Sequence, residues 1–355
     1  MTKNQYKVLI TTSGVGQRLG EFTKYTNKAL VRIGKKPAIS YIIEAYQENV
    51  PLVITLGYYG QHVKDFVSLA YPQRPIEFVE VDKYQGEGSS LGYSMLKARN
   101  RLQCPFIFHA ADTMVMEEIP PPIVNWIGGH KGGDPSQYGS WKLVKGQPQF
   151  RDKGALEFDY IHMGLVGIKD FSRFWASLEA LHQNNPADPL LNDCQTVMHM
   201  TSEGAQFEIK EFSKWFDISN VVAFHHAKEH LGDRFEIYDK VDESIYIFEG
   251  RFVIKFFHDK DIVQNRIQRA EVLRGIVPPI EGVGQNFYKY KYIKGQLYSE
   301  VVTPEDFINF LYWAKNNLWK ESRAVSDEEL KKICLDFYQT KTIKRLQQFS
   351  ELNPV

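Results

Sequence analysis

Through the first two thirds of the chain, apolar residues fall into short unbroken runs separated by longer amphipathic stretches. The runs Val8 to Ile10, Leu52 to Leu56, Ile76 to Val81 and Phe106 to His109 predict strands buried on both faces. The stretches Ile39 to Gln47, Gln61 to Ala70 and Ser90 to Leu102 carry helical spacing between them. This alternation predicts an α/β fold over residues 1–232, a mixed, mostly parallel sheet with helices on both faces. In such a sheet ligands gather at the carboxyl ends of the strands. After residue 232 the pattern changes. Ser244 to Phe248 and Phe252 to Phe257, joined by Glu249-Gly250-Arg251, predict a hairpin. A helix from Asp261 to Leu273, a strand pair around Phe287 to Ile293 and a helical end from Asp327 to Phe349 follow. Residues 233–355 therefore read as a smaller α+β unit, with Tyr292-Ile293-Lys294-Gly295 as a hinge.

The strand ends hold the candidate chemistry. Val8 to Ile10 breaks into Thr11-Thr12-Ser13-Gly14-Val15-Gly16-Gln17-Arg18-Leu19-Gly20. Glycines after a strand let backbone N–H groups approach a phosphate with no Cβ in the way. Arg18 and Lys28 add two positive charges at the same sheet edge, which suggests a polyphosphate seat. A nicotinamide turn would want an acid about 20 residues later for the ribose. The second strand instead ends in Gly57-Tyr58-Tyr59, with no acid. A glycine turn without a ligand is the plain alternative. Gly86-Glu87-Gly88-Ser89-Ser90-Leu91-Gly92 opens the third helix; its small residues would let a flat base lie on backbone, while Ser89 or Ser90 could simply cap the helix. Asp112 directly follows a buried strand, where an acid can hold a hard divalent cation or stand solvated.

Gly14-Val15-Gly16-Gln17-Arg18-Leu19, then Thr23-x-x-x-Asn27-Lys28-Ala29-Leu30-Val31, resembles the signature of the sugar-phosphate nucleotidylyltransferases. The family pattern is Gly-x-Gly-Thr-Arg, a gap, then Thr-x-x-x-Pro-Lys-x-Leu. Gln17 and Asn27 depart from it, and both cations stand in place. The resemblance covers roughly residues 5 to 230 and implies a Rossmann-like nucleotide-binding sheet. Arg18 and Lys28 would be the catalytic cations, with Ser13, Gly14, Gly16 and Gln17 around the phosphates and Gly88 and Ser89 at the base. Asp112, preceded by Ala111 where the family has glycine, would share Mg2+ with Asp217 of Lys214-Trp215-Phe216-Asp217-Ile218-Ser219-Asn220, which resembles the family's Trp-x-Asp-Ile-Gly. Tyr138 and Gly139, Gly164 and Asp193 would lie on the acceptor side, each with a packing role as the competing reading. No motif assigns Lys153 or Lys169 to a phosphate.

The implied reaction joins an NTP, CTP or UTP favoured, to a phosphomonoester and releases pyrophosphate. A sugar 1-phosphate for surface polysaccharide is the first acceptor, and phosphocholine or another small polar phosphate with CTP the second. A non-catalytic nucleotide-binding or assembly protein is the competing class, with Gln17, Asn27 and Ala111 as its signs. The order after residue 244 is similar to the small lobe of the aminoglycoside and choline phosphotransferase kinases. There Lys255 and Glu271 would pair to hold ATP phosphates. No His-Gly-Asp with a following Asn, nor a later metal-binding Asp, occurs before Val355, so no kinase activity is expected. The lobe reads as cut short, or as a relic used for packing or assembly.

Bulk composition narrows the classes further. Lys plus Arg and Asp plus Glu both number 43 in 355 residues, which argues against a broad electrostatic footprint for nucleic acid or anionic lipid. Cys104, Cys194 and Cys334 are far apart and odd in number, supporting neither a disulfide framework nor a zinc pattern. No apolar run approaches the roughly 18 residues of a membrane span, and no signal peptide is evident. A cytoplasmic protein is expected, and homo-oligomerisation is compatible with the sequence.

Overall fold

The computed structural model describes residues 6–232, 240–319 and 325–352. Strand β1 (Lys7–Thr11) forms on the first apolar run, with Val8, Leu9 and Ile10 fully buried. A small hairpin, β2 (Arg32–Ile33) and β3 (Lys36–Pro37), leads into α1 (Ala38–Glu44). Then come β4 (Leu52–Leu56), α2 (Gly60–Ala70), β5 (Ile76–Glu80), α3 (Leu91–Ala98) and β6 (Phe106–Ala110). Strand β1 pairs parallel with β4 and β6, and β4 with β5. Alternate residues of β1 face opposite ways, as the two-residue period requires. Val8 and Ile10 pack with Ile39, Ile42 and Ile43 of α1 and with Val63 and Phe66 of α2. Leu9 packs with Met95 and Ala98 of α3 on the other side.

The remainder of the large sheet is mixed in direction. After β7 (Thr113–Val115) come β8 (Trp126–His130), β9 (Ser140–Val144), β10 (Gln147–Arg151) and β11 (Tyr160–Ile168). They are followed by α4 (Phe171–Asn184), α5 (Asp193–Ser202), β12 (Glu208–Glu211), β13 (Trp215–Asp217) and α6 (Val221–Leu231). The sheet order is β10-β9-β11-β6-β1-β4-β5, with β8 paired to β11 and β12 to β8. The expected α/β architecture, with helices on both faces, is the one observed.

The second unit is a four-stranded antiparallel sheet in the order β14-β15-β17-β16. Its elements are β14 (Glu243–Phe248), β15 (Phe252–Phe257), α7 (Lys260–Val272), β16 (Ile280–Val283) and β17 (Phe287–Lys291). The expected hairpin and helix are present within a residue of their predicted bounds. One face of this sheet lacks a core of its own: Tyr246, Phe248, Ile254, Phe256 and Phe287 join the cluster of Phe66 and Ile42. The Tyr246 hydroxyl, fully buried, donates to the Leu30 carbonyl at 2.7 Å, and Lys289 Nζ to the Leu69 carbonyl at 2.9 Å. Beyond it, α8 (Tyr298–Val301), α9 (Pro304–Asn317), α10 (Asp327–Leu335) and α11 (Lys341–Leu352) leave apolar side chains such as Phe307, Tyr312 and Leu346 largely exposed.

Candidate active site

The turn after β1 is built to bring backbone and cations together. Gly16 has φ +71°, in the left-handed region, and a Cβ there would sit 3.0 Å from Lys28 Cβ. Glycine is thus required twice, by conformation and by the close approach of the lysine. Lys28 is held by Asn27, which is 1 % exposed. Asn27 Nδ2 donates to the carbonyls of Thr12 and Tyr58, at 2.7 and 2.5 Å, and Oδ1 accepts from Ala29 N–H at 2.9 Å. One side chain therefore ties the ends of β1 and β4 to the turn that carries the lysine. Its φ of −75° is one that proline also adopts, so the departure from the family pattern keeps the backbone path.

The two acids meet at the opposite wall. Strands β7 and β13 pair antiparallel with Asp217 opposite Thr113, and Ile218 N–H donates to the Asp112 carbonyl at 3.0 Å. This short ladder brings together two residues 105 positions apart in the sequence (217 minus 112). Lys28 Nζ lies 2.5 Å from Asp112 Oδ2. Burial pushes the Asp112 carboxyl up, but the Lys28 ammonium and the Arg18 guanidinium outweigh it and hold the group below the usual carboxylate range. Burial, then the charge of Asp112, raises Asp217 above that range against its hydrogen bonds from Ser219 and Tyr138. Two half-buried carboxylates, near enough for the charge of one to shift the other, offer oxygen donors alone, a set that fits a hard divalent cation such as Mg2+.

A cleft of about 930 Å3 is lined by Ser13, Gly14, Gly16, Gln17, Arg18, Lys28, Ser89 and Asp112; Ser219 lines it too, whereas Asp217 does not. Arg18 makes no ion pair among the described residues and is exposed to the cleft. Ser90, not Ser89, caps α3, accepting from Tyr93 N–H at 3.0 Å, while the Ser89 hydroxyl donates to the Gly86 carbonyl. Gly88, at φ +78°, lies outside the lining, near Lys83 and Pro186. Tyr138 does reach the acids, its hydroxyl donating to Asp217 Oδ2 at 2.9 Å.

Gly139, Gly164 and Asp193 do not line this cleft. A Cβ on Gly139 would meet the Phe150 ring at 2.5 Å. Gly164 forms the irregularity in β11 between His162 and Val166, where a Cβ would stand 2.8 Å from Ala110 Cβ. Asp193 is 3 % exposed, sits 3.0 Å from His162 Nε2 and does not line the cleft. In the second unit, Lys255 and Glu271 form no ion pair among the described residues. Lys255 Nζ lies 5.9 Å from the Tyr290 ring centre, and Glu271 pairs with Arg274. The phosphate-holding pair implied by the kinase resemblance is thus not assembled.

Two supporting residues were not singled out by sequence reasoning. His109 is fully buried at the end of β6; its Nε2–H donates to the Thr113 carbonyl and its Nδ1 accepts from the Tyr46 hydroxyl. It fixes the turn on which Asp112 stands, and a polar residue closing an apolar strand was its one visible signal. Ser219 lines the cleft and holds Asp217 through both its N–H and its hydroxyl. Ala111, by contrast, packs into the core with an ordinary negative φ, so the family's glycine is not needed there.

The α/β fold is one shared with solved nucleotidylyltransferases. Solved structures with this fold include CTP:phosphocholine cytidylyltransferase from Streptococcus pneumoniae, at 18 % identity and TM-score 0.51 over 64 % of this chain and 99 % of that one. UDP-glucose pyrophosphorylase from Acinetobacter baumannii matches at 15 % identity and TM-score 0.51 over 63 % and 92 %. The inositol-1-phosphate CTP transferase from Thermotoga maritima matches at 14 % identity and TM-score 0.50 over 65 % and 99 %. No family model matches the sequence, and no curated protein matches it.

Proposed function

We propose that this chain is a Mg2+-dependent nucleotidylyltransferase that transfers NMP from an NTP to a phosphomonoester. The observation that carries this reading is the convergence of Lys28, Arg18 and Asp112 on one cleft floored by the turn after β1, with the β7–β13 pair setting Asp217 opposite Thr113, the residue after Asp112. An acceptor phosphate oxygen attacks the α-phosphorus, a new P–O bond forms, and the bond from the α-phosphorus to the bridging oxygen breaks as pyrophosphate leaves. Two anions must be held against their mutual repulsion, so positioning and charge neutralisation dominate. Arg18 and the backbone of Gly14 to Gly16 bind the β- and γ-phosphates. Lys28 exchanges its partner Asp112 for the α-phosphate and the incoming oxygen. Asp112 and Asp217 would hold Mg2+, which would supply charge neutralisation for the reacting phosphate.

A sugar 1-phosphate is the first acceptor, in line with the pyrophosphorylase among the similar folds. A second reading, a small cationic phosphate such as phosphocholine with CTP, draws on the Tyr138–Trp215 ring pair beside Asp217, with centroids 5.3 Å apart. Pyrophosphate release with each of the four NTPs against sugar 1-phosphates, phosphocholine and inositol phosphate, with and without Mg2+, tests both. Turnover that requires Mg2+ supports the enzyme. Nucleotide binding without turnover across the panel would make the chain a non-catalytic nucleotide-binding protein.

A further inference from the structure

The carboxylate of Asp217 is not left to choose its own orientation. Ser219 N–H donates to Oδ1 at 2.9 Å, Ser219 Oγ donates to Oδ2 at 2.5 Å, and the Tyr138 hydroxyl donates to Oδ2 at 2.9 Å. An ionised carboxylate offers about four acceptor positions. Among the described residues both on Oδ2 are taken and one on Oδ1, which leaves one position, on Oδ1, without a partner. The Tyr138 ring is itself steadied edge-on against Trp215. Ser219 stands where the resembled element has glycine, so it brings a hydroxyl donor that glycine lacks.

We propose that Tyr138 and Ser219 are positioning residues that restrict Asp217 to single-oxygen ligation through Oδ1. This rests on the nucleotidylyltransferase reading for the identity of the ion, but not for the hydrogen-bond geometry. Without these donors Oδ2 is released, the carboxylate can rotate, and the cation meets a ligand that is no longer oriented. Loss of such outer partners typically weakens a metal site about tenfold to a hundredfold. Tyr138 then acts through Asp217 and not by touching the acceptor phosphate.

The test is Mn2+ titration of the full chain, followed by electron paramagnetic resonance, in the presence of a non-hydrolysable α,β-methylene NTP. Tyr138→Phe keeps the ring and Ser219→Ala keeps the backbone donor. Each should raise the Mn2+ Kd about tenfold, the double variant should exceed either, and Ser219→Thr should restore binding. Where turnover is found, the Mg2+ concentration for half-maximal rate should rise while the acceptor KM stays within twofold. Unchanged Mn2+ binding in both single variants, at a wild-type melting temperature, would overturn the proposal. So would a Tyr138→Phe variant whose only change is a raised acceptor KM, or a wild-type chain that binds no Mn2+. Weaker Mn2+ binding in the variants supports the positioning role whether or not the wild-type chain turns over, so the proposed reaction can fail separately.

Discussion

Asn27 occupies a place where proline would serve the backbone equally well, yet its amide makes three hydrogen bonds that proline cannot. Asn27→Ala leaves one buried and one part-buried carbonyl and a buried N–H without these partners. Each unsatisfied group costs about 1–3 kcal/mol, so urea denaturation should reveal a loss of at least about 2 kcal/mol. Asn27→Pro should lose a similar amount despite its compatible φ; a wild-type midpoint for both would remove the staple from this account. Charge at the cleft gives a different result. Arg18→Ala and Asp217→Ala should each lower the pyrophosphate-release rate at least about a hundredfold while the far-ultraviolet circular dichroism stays native. Arg18 is exposed and unpaired among the described residues, so its removal leaves the core untouched. A near-normal rate in either variant would release that residue from its role.

At the scale of elements, the site depends on an irregularity in β11. Strand β11 pairs with β6 through Leu165 to Ile168 and shifts register against β8 between His162 and Val166. Gly164 makes that swerve with φ +72°. Gly164→Ala would place a methyl 2.8 Å from Ala110 Cβ, two residues before Asp112. The left-handed conformation alone costs a non-glycine residue roughly 1–2 kcal/mol, and the clash adds to it. The variant should unfold at lower urea and, at temperatures where it is folded, should bind Mn2+ and turn over less well than wild type. Full activity would mean that β11 can shift without moving the acid. The antiparallel pair β7–β13 is the other element of consequence, since it alone sets Asp217 opposite the strand that follows Asp112.

Across the whole molecule the two sheets share apolar packing, with Tyr246, Ile254, Phe256 and Phe287 in the same cluster as Phe66. His62 lies at this junction, 5.2 Å from the Phe256 ring centre, and burial, then the nearby His258, lowers it from the ordinary value to about 4. Burial likewise lowers His109, beneath Asp112, to about 4. Both are therefore neutral in the folded chain at pH values where the unfolded chain, with ordinary histidines near 6.5, is already binding protons. Between about pH 6.5 and pH 4 the unfolded state holds more protons, so stability rises with pH over that window and falls on acidification. Each histidine contributes a slope approaching about 1.4 kcal/mol per pH unit. Urea midpoints at pH 7.5, 6.0 and 5.0 should decline in that order. A flat profile would show that these histidines titrate normally and are not held in a dry junction.

Sequence by itself determined the local parts: which runs become strands, the glycine turn with its cations, the second hairpin and the acids at strand ends. Those follow from period, glycine and charge, all of which act over a few residues. Gly164, Gly139 and Asp193 read equally well as ligand contacts or as packing, because chain order does not say what lies across a sheet. Only the tertiary structure decided that Gly164 avoids Ala110, that Asp193 lies buried against His162, and that Lys255 and Glu271 stay apart. It also supplied the reason for Asn27, whose three partners come from Thr12, Tyr58 and Ala29, and for Ser219, which fills the open side of Asp217. Buried hydrogen-bonding groups must find partners wherever the fold presents them, and that placement is a property of the packed molecule.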